Sequence, residues 1–252
     1  MNSRQSKIID LLQSEDRLEV RRLAQRFSVS QMTIRRDLEL LQADGFVVRT
    51  HGGGIPAGKL RVLQHAFPHY LVSPEKAAIG KLAASLVTPG QTVLIESGTT
   101  VLEVARNLPR DPSITVATTS LCVLQELYGG PMQVLLFGGY ARKDFPSLYG
   151  PLTEATLRSF HVDVLFIGCD GADSQSGFYT SNLLVSSLDE QMIKIASRVV
   201  IVTESSKFGG KGFVRFAAPN QVHTLVTDGR LSAVDRKNLV EGGVNVLFAE
   251  TE

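Results

Sequence analysis

The sequence predicts an α/β fold in two parts: a small winged helical head, then a larger Rossmann-like body built on a parallel sheet. Three observations carry this. Over residues 4–41 apolar residues recur at helical spacing, broken by one tight turn. From residue 73 onward, short and nearly continuous apolar runs alternate with helical patterns, the sign of a parallel sheet covered on both faces. Charge is divided unevenly: residues 1–60 hold ten Lys and Arg against seven acids, net +3, and the remainder is net −2.

Length and composition frame the reading. A chain of 252 residues suits one or two domains, and 43% apolar with 20% charged residues excludes a wholly disordered or fibrous protein. No apolar run approaches the roughly 18 residues of a membrane span. The polar opening Met1–Asp10 reads as no signal peptide. Cys122 and Cys169 lie 47 positions apart, without metal spacing, and read as reduced core thiols of a cytoplasmic protein. No cofactor, metal or membrane is expected.

In the head, Ile8, Ile9 and Leu12 mark a first helix over 4–13, and Leu23, Ala24 and Phe27 a second over 21–27. Between them Arg17-Leu18-Glu19-Val20 is a short alternating stretch. Ser28-Val29-Ser30 makes a turn, with Ser30 as N-cap of a third helix. That helix runs to Ala43 with Ile34, Leu38 and Leu41 inward, and Gly45 stops it at C′. Two helices across a tight turn form a helix-turn-helix, whose second helix enters the major groove by its N-terminal end. Ser30, Gln31, Met32, Thr33, Arg35 and Arg36 lie at that end. Arginine can donate two bonds to guanine, and glutamine can bridge adenine. Phe46 to Arg49 reads as a strand and Thr50-His51-Gly52-Gly53-Gly54 as the tip of a wing, which sets Arg49 and His51 beside the DNA backbone. A solvated helix face is the plainer reading of an Arg-Arg pair. Here the pair sits one turn after an N-cap, in the basic end of the chain, and DNA binding is preferred.

Two decoys fall away. His51-Gly52-Gly53-Gly54 matches an esterase oxyanion tetrapeptide, but the chain has no G-x-S-x-G nucleophile. Gly52-x-Gly54-x-x-Ala57 matches a loose dinucleotide fingerprint, yet Pro56 and Gly58 prevent a helix from opening there.

Residues 59–72 read as a linker between a domain over 1–58 and one over 73–252. His65 and His69 are spaced i, i+4, but Pro68 breaks any helix between them, so they are not taken as metal ligands. Ser73-Pro74-Glu75 opens a helix to about Val87: N-cap, proline at N1, acid at N2. Strands follow at 92–95, 114–117, 134–137, 162–167, 199–202, 224–226 and 244–248, with helices at 100–108, 120–128, 151–160, 183–197 and 232–241. In such sheets ligands sit beyond the C-terminal strand ends. Those ends carry Glu96, Ser97, Gly98, Thr99 and Thr100, then Thr119 and Ser120, then Gly138 and Gly139, then Asp170, and finally Lys207. Free N–H groups and the dipole at a helix N-terminus favour an anion, and Gly98 would let the backbone approach it. Ordinary capping is the alternative for any one such loop. Five on one edge point to a small polar ligand. A P-loop nucleotide site is excluded, because no G-x-x-x-x-G-K-[ST] occurs.

The run Ser28-Val-Ser-Gln-Met-Thr-Ile-Arg-Arg-Asp-Leu38, then Gly45, then Arg49-Thr-His-Gly-Gly-Gly54 resembles the DeoR family of bacterial transcription regulators. The Ser97-Gly-Thr-Thr100, Gly138-Gly139 and Ser206-Lys-Phe-Gly209 segments resemble that family's effector domain. The resemblance implies a fold similar to ribose-5-phosphate isomerase and a phosphorylated sugar as effector. Glu96 stands where the family usually has Asp, Thr119 where it usually has Asn, and the helix after Asn182 reads Leu-Leu-Val-Ser-Ser-Leu-Asp-Glu-Gln where many members carry Glu and a Lys-Arg pair. The expectation is a repressor of a carbohydrate-metabolism operon, relieved by a sugar phosphate and binding double-stranded operator DNA as a homo-oligomer, dimer or tetramer. Its catalytic rival is a sugar-phosphate isomerase with an appended DNA-binding domain, suggested by Asp170-Gly171-Ala172-Asp173. Isomerases of that type also carry a Lys-Gly-Gly soon after, whereas here the next lysine is Lys194.

Overall fold

The structure is a computed structural model that describes residues 3–14, 18–43, 46–50, 52–56, 73–143, 145–210 and 212–251. The chain divides into two compact units, Met1–Pro68 and His69–Glu252. The expected linker 59–72, with His65 and His69, lies outside the described residues, as do Gly45 and His51 and the side chains of Leu12 and Arg49.

The smaller unit contains α1 (Ser3–Ser14), β1 (Leu18–Glu19), α2 (Val20–Arg26), α3 (Gln31–Ala43), β2 (Val47–Thr50) and β3 (Gly53–Pro56). Ile8, Leu23, Ile34, Leu38 and Leu41 are buried together, as their helical spacing requires. The turn between α2 and α3 is a Schellman closure. Val29 N–H donates to Ala24 O at 3.0 Å and Ser28 N–H to Gln25 O at 3.2 Å, with Ser28 at φ 52° where glycine is usual. Ser30 caps α3, its Oγ accepting from Thr33 N–H at 3.1 Å. The wing differs from the expectation. Gly53 and Gly54 are not its tip but the start of β3, which lies between β1 and β2 in a three-stranded antiparallel sheet. The reason is close approach: a Cβ on Gly53 would drive into the Leu18 carbonyl. Glycine here marks a strand pressed against its neighbour.

The larger unit carries a seven-stranded, all-parallel sheet. Its strands are β4 (Thr92–Ile95), β5 (Thr115–Thr118), β6 (Gln133–Leu136), β9 (Val162–Ile167), β12 (Ala196–Val202), β14 (Thr224–Asp228) and β15 (Asn245–Ala249). Every apolar run read as a strand is one, with ends shifted by up to three residues. The spatial order is β15-β14-β12-β9-β4-β5-β6. The chain starts in the interior at β4, builds outward to β6, and returns to β4's other side as β9, so direction reverses between β4 and β9.

Helices cover both faces: α4 (Pro74–Ala84), α5 (Thr99–Asn107), α6 (Leu121–Leu127), α7 (Pro151–Leu157), α8 (Leu183–Lys194) and α9 (Ala233–Glu241). The alternating strand residues explain the continuous apolar runs. Val93, Ile95, Val164, Phe166, Val200 and Val202 join one core with α4, α5 and α6, and Cys122 lies in it. Leu94, Leu165, Ile167, Val199 and Ile201 join a second core with α7, α8 and α9. Ser73 caps α4 by accepting from Lys76 N–H at 3.2 Å, with Pro74 at its first turn. The helix ends at Ala84 rather than near Val87.

Short strands that the sequence analysis did not assign complete the unit. β7 (Tyr140–Ala141) pairs with β8 (Leu148–Tyr149). β10 (Gly171–Asp173), β11 (Gly177–Thr180) and β13 (Val214–Ala217) form an antiparallel sheet after β9.

Candidate functional site

In the smaller unit the exposed residues of α3 form one stripe. Gln31, Met32, Arg35, Arg36, Glu39 and Leu40 face solvent and Thr33 is half-buried, while Ile34, Asp37, Leu38 and Leu41 face inward. Met32 is 69% exposed on this stripe. The two arginines thus stand on the same side as Gln31. Exposed Ser30 spends its hydroxyl on the cap and on Thr33 Oγ1, 2.9 Å away. Arg49 lies on β2.

One residue of the inward face of α3 has a role that helical periodicity does not reveal. Asp37 is 3% exposed. Its carboxylate accepts from Arg4 Nε at 2.6 Å, from Arg4 Nη2 at 3.3 Å and from Gln5 Nε2 at 3.2 Å. It ties α3 to α1, so the acid inside an otherwise basic run positions the helix rather than meeting a ligand. A buried acid is affordable only when paired, and both partners come from a helix more than 30 positions away.

In the larger unit a cavity of about 450 Å³ opens beyond the ends of β4, β9 and β12. This is the reversal point, where loops splay to opposite faces and leave a crevice. Glu96, Ser97, Gly98, Thr99 and Thr100 line it from the β4–α5 turn, Asp170 from the end of β9, and Lys207 from the turn after β12. Seven of the eleven candidate effector residues therefore share one wall. Gly98 is the N-cap of α5 and its carbonyl accepts from Leu102 N–H at 3.1 Å. The first-turn N–H groups of α5 have no helical partner by geometry, and they lie at the cavity. Gly98 has extended backbone at φ 175°, and an added Cβ would meet Val101 Cγ2 at 3.4 Å and Glu96 Oε2 at 3.7 Å, ordinary contacts. The fold does not need a glycine there.

Thr119, Ser120, Gly138 and Gly139 do not line this cavity. They follow β5 and β6, which lie on the far side of β4 from the reversal. Thr119 is buried with its carbonyl accepting from Leu148 N–H at 2.9 Å, and Ser120 caps α6 through Val123 N–H at 3.3 Å. The Gly138 carbonyl accepts from Thr153 Oγ1 at 2.7 Å, and a Cβ on Gly139 would collide with Thr153 and the Tyr149 carbonyl. The structure packs these four against β8 and α7 or uses them as caps.

Other elements complete the wall: Lys76 of α4, Arg142 and Phe145 of the segment around β7, Asn182 at the N-cap of α8, Asp189 within α8, and Glu204. Lys76 and Glu204 pair at 3.6 Å, and Ser73 Oγ donates to Glu204 at 3.2 Å. Lys207 therefore does not take Glu204 as its partner, and among the described residues it forms no ion pair. Asp170 accepts from Ser181 N–H at 2.7 Å, while Asp173 spends its Oδ1 on the Gln175 and Ser176 N–H groups of the β10–β11 turn. Burial raises the Glu96 carboxyl to about 7, against a hydrogen bond from Ser97 at 2.8 Å that favours its charged form. Burial also holds Asp189 well above the ordinary aspartate range, and the charge of Glu96 adds to the effect. Burial pushes the Cys169 thiol up to about 12, so it is no nucleophile at neutral pH. No helix among the described residues is long and apolar enough to cross a membrane.

Comparison with known proteins follows the same division. Residues 4–56 match the family described as a DeoR-like helix-turn-helix domain, and residues 72–229 the family described as a DeoR C-terminal sensor domain. The HTH-type transcriptional regulator GlpR of Haloferax volcanii is 34% identical over 97% of this chain and 96% of its own. Transcriptional repressor AccR of Agrobacterium fabrum is 35% identical over 89% and 88%. HTH-type transcriptional repressor GlcR of Bacillus subtilis is 31% identical over 97% and 95%. Ribose 5-phosphate isomerase A of Methanocaldococcus jannaschii aligns over 53% of either chain at 15% identity and a TM-score of 0.39, a slight likeness from which nothing about this chain follows.

Proposed function

The chain belongs to the DeoR family of transcription regulators, and from that premise we propose that it is a cytoplasmic repressor of a carbohydrate-metabolism operon, released from its operator by a phosphorylated sugar. The head reads DNA through the exposed stripe of α3, with Gln31, Arg35 and Arg36 at base edges and Arg49 and His51 of the wing at the backbone. The observation that carries the effector assignment is the polar cavity at the β4–β9 reversal, entered by the N-terminus of α5. Ser97, Gly98, Thr99 and Thr100 hold the phosphate there, Lys207 approaches it, and Glu96 and Asp170 accept hydroxyl bonds from the sugar. The ligand acts only through different affinities for the DNA-competent and incompetent arrangements. Two copies bring two heads to a two-fold operator, since a single winged helix offers a small interface.

A second reading rests on Glu96. Its carboxyl lines the cavity, hydrogen-bonded to Ser97 Oγ at 2.8 Å, and burial raises its affinity for a proton, as a base that abstracts a proton next to a carbonyl needs. Against it, Asp173 of the isomerase-like acidic run is committed to a turn, and the relatives are transcriptional regulators and repressors. Thermal shift of the full chain against a panel of sugar phosphates tests the preferred reading. A ligand at 100 times its dissociation constant adds about 2.7 kcal/mol of apparent stability. The expected result is a shift with one member and no turnover of ribose 5-phosphate or amino-sugar phosphates. Turnover would support the second reading instead.

A further inference from the structure

The cavity wall carries more acid than a site for an anion should. Its carboxyls are Glu96, Asp170, Asp189 and Glu204, and its cations Lys76, Arg142 and Lys207. Glu204 is paired with Lys76, and Asp170 is held by the Ser181 N–H. Glu96 accepts from its neighbour Ser97 through Oε1. Asp189 stands apart: it is 5% exposed, it lines the cavity, and its Oδ1 has no hydrogen-bond partner. A buried carboxylate oxygen left without a donor is costly, and such groups in native proteins are explained by a function or by something that binds them.

Resting on the sugar-phosphate reading above, we propose that the effector carries a protonated amine as well as a phosphate, and that Asp189 Oδ1 and Glu96 receive the ammonium: the ligand class is an amino-sugar phosphate. A cation at that point gives Asp189 Oδ1 the donor it lacks. A phosphate seated at the start of α5 brings further negative charge beside Glu96, and a neutral hydroxyl would leave the Glu96–Asp189 repulsion in place. An ammonium relieves both and satisfies Oδ1 with a charge-assisted bond. A metal ion is not the alternative, because among the described residues no three His, Cys, Asp or Glu are placed to hold one. Arg142 bears on both acids, and its guanidinium lies over the Phe145 ring at 5.4 Å.

Matched pairs of probes test this on the full chain by calorimetric titration: glucosamine 6-phosphate with glucose 6-phosphate, galactosamine 6-phosphate with galactose 6-phosphate, and mannosamine 6-phosphate with mannose 6-phosphate. The amine member of at least one pair should bind tenfold or more tightly than its hydroxyl partner, about the worth of one charge-assisted over one neutral hydrogen bond. Asp189→Asn keeps the shape and removes the charge, and it should erase that preference while the hydroxyl member still binds. Asp189→Leu, with its melting temperature checked, distinguishes loss of charge from misfolding. Equal or tighter binding of the hydroxyl members, or a preference that survives Asp189→Asn, overturns the amine assignment and leaves the sugar-phosphate reading standing. No binding by any of the six probes overturns the amine assignment, whereas binding of other phosphorylated sugars in the wider panel decides the broader reading separately.

Discussion

Replacing Asp37 with asparagine should loosen the recognition helix without removing a DNA contact. The carboxylate receives three bonds, from Arg4 Nε at 2.6 Å, Arg4 Nη2 at 3.3 Å and Gln5 Nε2 at 3.2 Å. Asparagine has the same shape but one acceptor oxygen and no charge. One donor set therefore loses its acceptor, and the surviving bond falls to neutral strength. Bonds to a charged group contribute about 1.5–3 kcal/mol and neutral ones about 1 kcal/mol. The expected cost is about 2 kcal/mol on those figures, since Arg4 is part-exposed and keeps access to water. For a domain of this size 1 kcal/mol moves the melting temperature by about 4–8 °C, so the head should melt roughly 8–16 °C lower. The head and the body are separate compact units, so in calorimetry of the full chain only the head's transition should move. A double-mutant cycle of Arg4→Met with Asp37→Leu should show a coupling of about 1 kcal/mol or more. An unmoved head transition, or additive single effects, would refute the claim that this acid pins α3 to α1.

Three further outcomes follow from the same geometry. Arg35→Ala or Arg36→Ala should cost about 1–3 kcal/mol in operator affinity with relaxed preference at one base pair, or lower the salt slope by about one if the contact is to phosphate; unchanged binding in both variants would show that α3 is not the reading helix. Gly98→Ala should leave folding and DNA binding intact, because the added methyl finds only ordinary contacts inside the protein, yet abolish the response to the phosphorylated effector; a normal response in titrations of the DNA complex would remove the phosphate from this loop. Because Glu96, facing Ser97, Arg142, Asp170 and Asp189, is raised from 4.5 to about 7, it binds its proton more tightly folded than unfolded. Its contribution to the body's stability is complete below the unfolded value and lost as pH climbs through about 7, at most about 3 kcal/mol at 1.36 kcal/mol per unit. Thermal melts between about pH 5 and pH 8 should slope downward on that account, and Glu96→Gln should flatten the slope; a level profile in the unaltered protein would contradict the buried-carboxyl account.

What was legible in the sequence is what repeats locally. Ile34, Leu38 and Leu41 mark one helix face, Val164 to Ile167 fill both faces of a central strand, and Ser30 and Ser73 are caps that need only three residues to recognise. The wing's inner strand was hidden because Gly53 and Gly54 are poor strand formers, and only the nearness of the Leu18 carbonyl makes them fit. The cavity was half legible. The strand-end rule finds Glu96 to Thr100 and Asp170, but it applies only where chain direction reverses, and nothing local says that β5 and β6 lie beyond that point. The rule read from sequence therefore also selects Thr119, Ser120, Gly138 and Gly139, which lie away from the cavity. Lys76, Arg142 and Asp189 were missed because they arrive from a capped helix, a turn and a second helix, brought together by topology alone. Asp37 was present in the resemblance as part of a motif, but its bonds to Arg4 and Gln5 span the whole head.

The central claim is that a phosphorylated sugar in the cavity weakens the head's hold on DNA, and one titration tests it directly. A labelled duplex, selected by the full chain from a random-sequence library, is bound to the protein and followed by fluorescence anisotropy while phosphorylated sugars are added one at a time. At least one sugar phosphate should release the duplex, its unphosphorylated counterpart should not, and Gly98→Ala should keep the duplex bound throughout. Release by none of them, or equal release from the Gly98→Ala protein, would contradict the account.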